Sequence, residues 1–220
     1  MVGVENMDYK LLIEKAKEYI NEGFANMGGK IEGPTMLDWY MLASAIKAIR
    51  FSNAIIRLCE EDFTKESLPI LRSLIEHSIN MRWIMAKDTE RRLKQYLHDL
   101  EEKSLGKSWT NVDLLTRMSN IGFKNRDYYD FVVKYTYSYA HVNASTLDWG
   151  EVMDEEILKS KMSSQSIYSI IAQMLGHVLL ALNTRYQGKF DYYREIWRHI
   201  KKNDKNIRKE FEAIVSSSEV

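Results

Sequence analysis

The segment from Ser67 to Ala86, SLPILRSLIEHSINMRWIMA, constrains the fold more than any other part of the chain. Its apolar residues recur about every 3.6 positions, which predicts a helix with one buried face. These residues are Leu68, Leu71, Leu74, Ile75, Ile79, Trp83 and Ile84. The same segment carries the polar residues Arg72, Glu76, His77, Asn80 and Arg82. A helix that only fills a core does not need this much polar chemistry, so the segment also holds the first candidate site.

Helical patterns of the same kind cover most of the chain. Thr35 and Asp38 have the spacing of a capping box, which predicts the start of a long apolar helix that runs to Asp62. We expect this helix and the segment from Ser67 to Ala86 to form a central antiparallel pair, because the connection between them is short. With only 2 Pro and 10 Gly, a fold built on many tight turns is disfavoured.

These patterns predict an all-α fold, a single-domain bundle of about seven or eight helices. The helical domain is expected over residues 8–215, between a disordered N-terminus at 1–7 and a disordered tail at 216–220. Asp8, Thr110 and either Ser164 or Ser166 are candidate starts of further helices. The aromatic stretch DYYDFVVKYTYSYAHVN is read as a helix, with a strand as the alternative.

Composition excludes several classes of protein. The 31 basic and 31 acidic residues give no net charge, which argues against coating nucleic acid by bulk charge but leaves room for a local basic groove. The single Cys59 excludes an intramolecular disulfide and is expected to be buried. No apolar signal core or long uncharged apolar run is seen, so we expect a cytoplasmic protein with no membrane partner.

No familiar cofactor motif is present in the sequence. It contains no Walker loop, no dinucleotide-binding glycine fingerprint, no HExxH and no GxSxG. No group of Cys, His and carboxylate residues has metal-ligand spacing either. We therefore predict no cofactor and no metal.

Arg72, Glu76 and His141 form the first candidate site. Arg72 and Glu76 are four residues apart, so they can touch on one helix face, and their Leu and Ile neighbours suggest partial burial. His141 closes the aromatic stretch, from which it could face them and add acid–base chemistry. The alternatives are a purely structural ion pair that fixes helix packing and a histidine hydrogen-bonded at a helix-to-loop corner.

Arg91 and His98 form the second candidate site. They lie two helical turns apart and share one face of RRLKQYLH. Nuclease domains of the helical HEPN superfamily carry an Arg-x(4–6)-His pattern, in which Arg holds the scissile phosphate and His transfers protons. The pairs Arg72–His77 and Arg194–His199 satisfy the loose pattern too. The alternative for Arg91 and His98 is an ordinary solvated helix face.

Three blocks of the sequence resemble a mostly bacterial helical family of unknown function, DUF5677. They are SLPILRSLIEHSINMRWIM, GKSWTNVDLLTRMSNIGF and VKYTYSYAHVNAS, within about residues 36 to 185. The resemblance marks Arg72, Glu76 and His141 as the positions to watch. It also implies a HEPN-like order of helices, although Lys134 stands where an arginine would complete the pattern with His141.

Two hypotheses for function follow. In the first, the chain is a partner- or ligand-binding module of a bacterial regulatory or defence system. The alternative is a metal-independent, HEPN-like ribonuclease or toxin that acts on RNA. The catalytic candidates are then Arg72, Glu76, His141, Arg91 and His98. In either case we expect a homodimer, because the central helices look too apolar for the other helices to cover, and a protein partner remains open.

Overall fold

The computed structural model describes residues 8–27, 33–102, 110–123, 132, 133, 136, 163–190 and 194–199, without the side chains of 99–102. The helices are α1 (Tyr9–Met27), α2 (Met36–Glu60), α3 (Thr64–Ala86), α4 (Thr89–Glu102), α5 (Leu114–Asn120) and α6 (Ser164–Tyr186). Residues 194–199 are helical as well, and the described residues contain no strand. The prediction of an all-α bundle is confirmed. The predicted disordered ends at 1–7 and 216–220 lie outside the described residues.

Local sequence signals set the starts of several helices. Thr35 and Asp38 form the predicted capping box at the start of α2, each side chain accepting a hydrogen bond from the other residue's backbone N–H. Asp113, rather than the predicted Thr110, caps α5 by accepting from the backbone N–H of Thr116 at 2.9 Å. α3 begins at Thr64, one turn before the predicted cap Ser67, whose side chain is buried.

α2 and α3 form the predicted antiparallel pair. Residues 61–63 connect them. Next to this connection, Cys59 of α2 contacts Ser67 of α3 at 3.7 Å. More than two helical turns from the connection, His77 of α3 contacts the Ser44 carbonyl of α2 at 2.9 Å. The contacts therefore run in opposite directions along the two helices.

α3 and α6 are the most deeply buried helices of the bundle. α3 packs against α2, α4, α5 and α6, and α6 packs against α1, α2 and α3. α6 is buried on all sides over most of its length, which its almost continuous apolar sequence explains.

A close approach joins α1 to the turn after α6. The ring of Phe190 is fully buried and lies directly over Gly23 of α1. A β-carbon at position 23 would lie less than 3.0 Å from three carbons of that ring. The glycine therefore makes room for the ring, which also packs edge-to-face on Phe24 at 5.3 Å between ring centroids.

An ion pair joins the start of α2 to the end of α6. The Arg185 side chain donates from Nε to Asp38 Oδ1 at 2.8 Å and from Nη2 to Oδ2 at 3.0 Å. The Asp38 side chain is only 4% exposed, and the Arg185 guanidinium and the Thr35 hydroxyl and N–H all stabilise its charged form. The Arg185 hydrogen bonds are the main reason that the pKa of Asp38 lies far below its usual value.

α6 is the one described helix that is long and apolar enough to cross a membrane. Most of its apolar stretch, 83%, is buried inside the bundle. The sequence expectation that no long uncharged apolar run is present is therefore wrong at α6, and the burial of this helix is that of a core helix.

Candidate functional site

Arg72 and Glu76 of α3 form the ion pair that their spacing predicts. Arg72 Nη2 donates to Glu76 Oε1 at 2.5 Å, and Arg72 Nη1 donates to the Val133 carbonyl at 3.4 Å. The Arg72 side chain is 14% exposed and that of Glu76 is 46% exposed. The pair is therefore partly buried, as expected, and the arginine is the more buried partner. The carboxylate reaches solvent because the apolar residues beside it in sequence lie on a different face of the helix.

A buried arginine from α5 approaches the same face of α3. Arg117 is almost completely buried, and its Nη1 donates to the side-chain oxygen of Asn80, one turn beyond Glu76. Burial lowers the pKa of Arg117, the charge of Glu76 opposes this effect, and the charge of Arg72 adds to it. The three charged groups thus act on one another across the α3–α5 contact.

Tyr40 of α2 lies at the edge of this group. Its hydroxyl is buried beside the Ser44 side chain of the same helix. The ring packs edge-to-face on Tyr96 of α4 at 5.4 Å between centroids. Burial raises the pKa of Tyr40 far above its usual value, and the positive charge of Arg117 acts in the opposite direction. We call Arg72, Glu76, Asn80, Arg117 and Tyr40 the arginine cluster.

His141 lies outside the described residues, so its predicted meeting with Arg72 and Glu76 stays a prediction. The contact of Arg72 with Val133 does bring part of the aromatic stretch to the cluster. The described residues 132, 133 and 136 are helical, as predicted for this stretch.

Arg91 and His98 lie on an exposed face of α4. Arg91 Nη2 donates to Asp88 Oδ2 at 3.2 Å, and both side chains are well exposed. Its neighbour Arg92 turns inward instead, where its guanidinium stacks over the Trp83 ring at 3.5 Å and donates to the Trp83 carbonyl. This geometry favours the solvated-face interpretation of Arg91 and His98, and their catalytic role stays a prediction.

A second cluster joins α1 to residues 194–199, and the sequence did not predict this contact. The Tyr19 hydroxyl donates to Glu195 Oε2 at 2.7 Å, and Lys15 Nζ lies 3.6 Å from Glu195 Oε1. His199 Nε2 lies 4.0 Å from the same oxygen. The hydrogen bond from Tyr19 is the main cause of a lowered pKa at Glu195. We call Lys15, Tyr19, Glu195 and His199 the α1 surface cluster.

Part of the α1 surface cluster has a signal in the sequence. Arg194 and His199 match the Arg-x(4–6)-His spacing, and Lys15 and Tyr19 stand four residues apart on α1. The pairing of these two segments, 176 residues apart at Tyr19 and Glu195, has no sequence signature.

Among the residues that the structure describes, no group of three or more His, Cys, Asp or Glu could hold a metal ion. A model of the family of unknown function DUF5677 matches residues 38–215. The chain belongs to this family. Neither a search of curated proteins nor a search of solved structures finds a significant match.

The match to DUF5677 confirms the resemblance seen in the sequence and extends it toward the C-terminus. The matched region contains the whole arginine cluster and also Glu195 and His199. Lys15 and Tyr19 lie before it, so the α1 surface cluster joins the matched region to a helix outside it. The match to DUF5677 carries no information on the HEPN-like order of helices.

Two further histidines are buried in the core of this DUF5677 chain. His77 Nε2 hydrogen-bonds the Ser44 carbonyl, and burial lowers the pKa of His77 to about 4. His177 stacks on Phe123 at 4.2 Å between centroids and meets the edge of Trp197 at 4.7 Å. Burial also lowers the pKa of His177 well below its usual value. His177 is thus a core residue, and the described residues supply no hydrogen-bond partner for its ring nitrogens.

Proposed function

We propose that the protein is a binding module whose arginine cluster holds an anionic group of a ligand or partner. One observation carries this proposal: the nearly buried Arg72 donates to the half-exposed carboxylate of Glu76, and the buried Arg117 of the adjacent helix donates to Asn80, one turn further along α3. An incoming carboxylate or phosphate could replace Glu76 beside Arg72, since Glu76 is open to solvent. Arginine suits such groups because its planar guanidinium binds two oxygens at once.

Burial of Arg117 supports a functional rather than a packing role. Moving a guanidinium out of water is costly, and apolar residues of similar volume often serve a core equally well or better. Asn80, which accepts from Arg117 Nη1, is neutral, and the charge of Glu76 acts on the same guanidinium.

The setting of this activity is part of the same proposal. We place the module in the bacterial cytoplasm, in a regulatory or defence system, where it acts as a homodimer or with a protein partner. The support for this setting is the resemblance of three sequence blocks to a bacterial helical family, together with the buried position of the most apolar helix.

Thermal shift measurements with simple anions test the proposal. The probes are inorganic phosphate, a nucleoside monophosphate and succinate, each added to wild type, Arg72→Met and Arg117→Met. Arg57→Met is the matched control, since Arg57 and Glu61 form an exposed pair with the same four-residue spacing. We expect at least one anion to raise the Tm of wild type and of the control but not of the cluster variants. Equal shifts in all four proteins, or no shift in any, would refute the proposal.

A metal-independent ribonuclease is the second candidate function, and the α1 surface cluster is the observation that favours it. His199 lies beside Glu195, which could orient its ring, and Arg194 provides an exposed cation one position before Glu195. Lys15 adds a second cation within reach of a bound phosphate. General acid–base catalysis of 2′-hydroxyl attack needs such a pairing of a proton carrier with fixed cations.

Incubation of the purified protein with mixed RNA in EDTA tests the second function. Cleavage should persist in the chelator and be lost in His199→Ala, while His98→Ala and His141→Ala show whether either of the other histidines is required. Cleavage that survives all three substitutions would rule out a histidine mechanism. Cleavage that stops in EDTA would show that a metal takes part.

A further inference from the structure

α2 exposes an apolar stripe along one face. The residues are Met36, Trp39, Ala43 and Ile46. Their spacing of i, i+3, i+7 and i+10 places them in one line of about 15 Å. Trp39 is 57% exposed, and Met36 and Ile46 are also among the exposed large apolar residues. We call this line the α2 stripe.

An exposed apolar line of this length, with a tryptophan in it, is typical of a protein-binding surface. Single exposed apolar residues are ordinary, but a contiguous row is not. Tryptophan is strongly enriched among the residues that dominate binding energy at interfaces. The small Ala43 in the middle lets a partner backbone approach closely.

The exposed charged residues that α2 itself carries beside the stripe are all basic. Between Met36 and Arg57, every exposed ionisable residue of α2 is basic: Lys47, Arg50 and Arg57. Asp38, the one acid in this range, points inward to Arg185. The acids at the end of α2 are already paired, Glu60 with Lys10 and Glu61 with Arg57.

We propose that the α2 stripe binds an acidic amphipathic helix of a partner protein. Apolar residues of that helix, spaced three and four apart, would cover Trp39 and Ile46, and acidic residues on its flank would face Lys47 and Arg50. A second copy of this chain fits less well. Two α2 stripes placed against each other would bring Lys47 and Arg50 of both copies into one interface with no acid between them. The α2 stripe shares no residue with the arginine cluster, and the proposal does not depend on the anion site.

Two synthetic peptides test this inference. Both are 18-residue helices with leucines at i, i+4, i+7 and i+11, and their flanking positions carry glutamate in one and lysine in the other. Binding to the full chain is followed by fluorescence anisotropy of a labelled peptide. We expect the glutamate peptide to bind about tenfold more tightly than the lysine peptide, a difference that rises as salt is lowered.

Variants of the full chain show where the peptide binds and which residues determine the preference for a negatively charged peptide. Trp39→Ser should weaken binding of the glutamate peptide at least tenfold, whereas Leu11→Ser, at an exposed leucine of α1, should leave it unchanged. The double variant Lys47→Glu with Arg50→Glu should reverse the preference to the lysine peptide. Since all these positions are exposed, the variants are expected to fold, and circular dichroism confirms this.

Three outcomes would overturn the inference. Equal binding of both peptides would show a nonspecific apolar contact, and absence of binding would show that no acidic helix is accepted. Sedimentation that shows a dimer of wild type, but a monomer of Trp39→Ser, would assign the α2 stripe to a second copy instead.

Discussion

Substitution of Asp38 by asparagine should remove a substantial part of the stability at neutral pH. Asp38 is nearly fully buried and receives two hydrogen bonds from Arg185, and two more from Thr35. Loss of one partner of a buried ion pair costs roughly 3–5 kcal/mol. Since Arg185 is 32% exposed and can be solvated again, we expect a value near the lower end, about 3 kcal/mol.

The loss should depend on pH in a defined direction. The pKa of Asp38 is lowered in the folded protein, so its carboxylate contributes stability that is complete above the unfolded value of about 4. Below that pH, the contribution falls by about 1.4 kcal/mol for each unit. The difference between wild type and Asp38→Asn should therefore be constant from pH 5 to 8 and shrink as the pH drops below 4.

Urea unfolding at a series of pH values, followed by circular dichroism, measures this difference. Asp88→Asn is the matched control, because Asp88 pairs with Arg91 on the exposed surface of the bundle. Its cost should be below about 1 kcal/mol at every pH. If Asp38→Asn were no more costly than Asp88→Asn at pH 7, or if its cost did not change below pH 4, the assignment of a stabilising buried pair would be wrong.

Two further predictions concern the packing and the titration of the core. Gly23→Ala should destabilise the folded protein by about 1–3 kcal/mol, because the added β-carbon clashes with Phe190. Gly176→Ala is the control, since its β-carbon meets neighbours only at 3.4 Å and beyond, and it should be neutral or stabilise the protein by up to about 1 kcal/mol. Thermal unfolding compares the two variants, and equal effects would contradict the close approach of Gly23 and Phe190. His77→Gln should keep a hydrogen-bond donor to the Ser44 carbonyl but remove the side chain that takes up a proton at position 77. As the pH falls from 6.5 to 4, wild type should lose up to roughly 3 kcal/mol of unfolding free energy relative to this variant, because His77 is neutral in the folded protein and protonates on unfolding. If the unfolding free energies of the two proteins changed equally with pH, His77 would not be a buried neutral ring.

Features that depend on neighbours in the sequence could be predicted. The capping box of Thr35 and Asp38 needs only three residues of helix, and its two hydrogen bonds are present. The pair of Arg72 and Glu76 needs only one helical turn, and it too is present. The helical period decided the all-α fold in the same way, because burial of an apolar face is a local property of each segment.

Features that depend on how the helices are placed against one another could not be predicted from the sequence. Arg117 reaches Asn80 across 37 residues of sequence, and no periodicity specifies that α5 lies on this face of α3. The unequal exposure of Arg72 and Glu76 could not be predicted for the same reason, since apolar neighbours in sequence do not show which side of a helix is covered. Tyr19 and Glu195 meet only because α1 packs beside residues 194–199.

The central position of α3 has a further consequence, which depends on the order in which the helices are synthesised. α2 and α3 can pair as soon as both leave the exit tunnel, but α6 begins roughly 80 residues after α3 ends. At synthesis rates of about 5–20 residues per second, the side of α3 that packs against α6 stays uncovered for about 4–16 s. During that interval, fully buried residues such as Leu71 and Ile75 are candidates for contact with water or with other nascent chains. The chain is thus expected to recruit holding chaperones while it is being translated, and truncation before Ser164 should leave an aggregation-prone product.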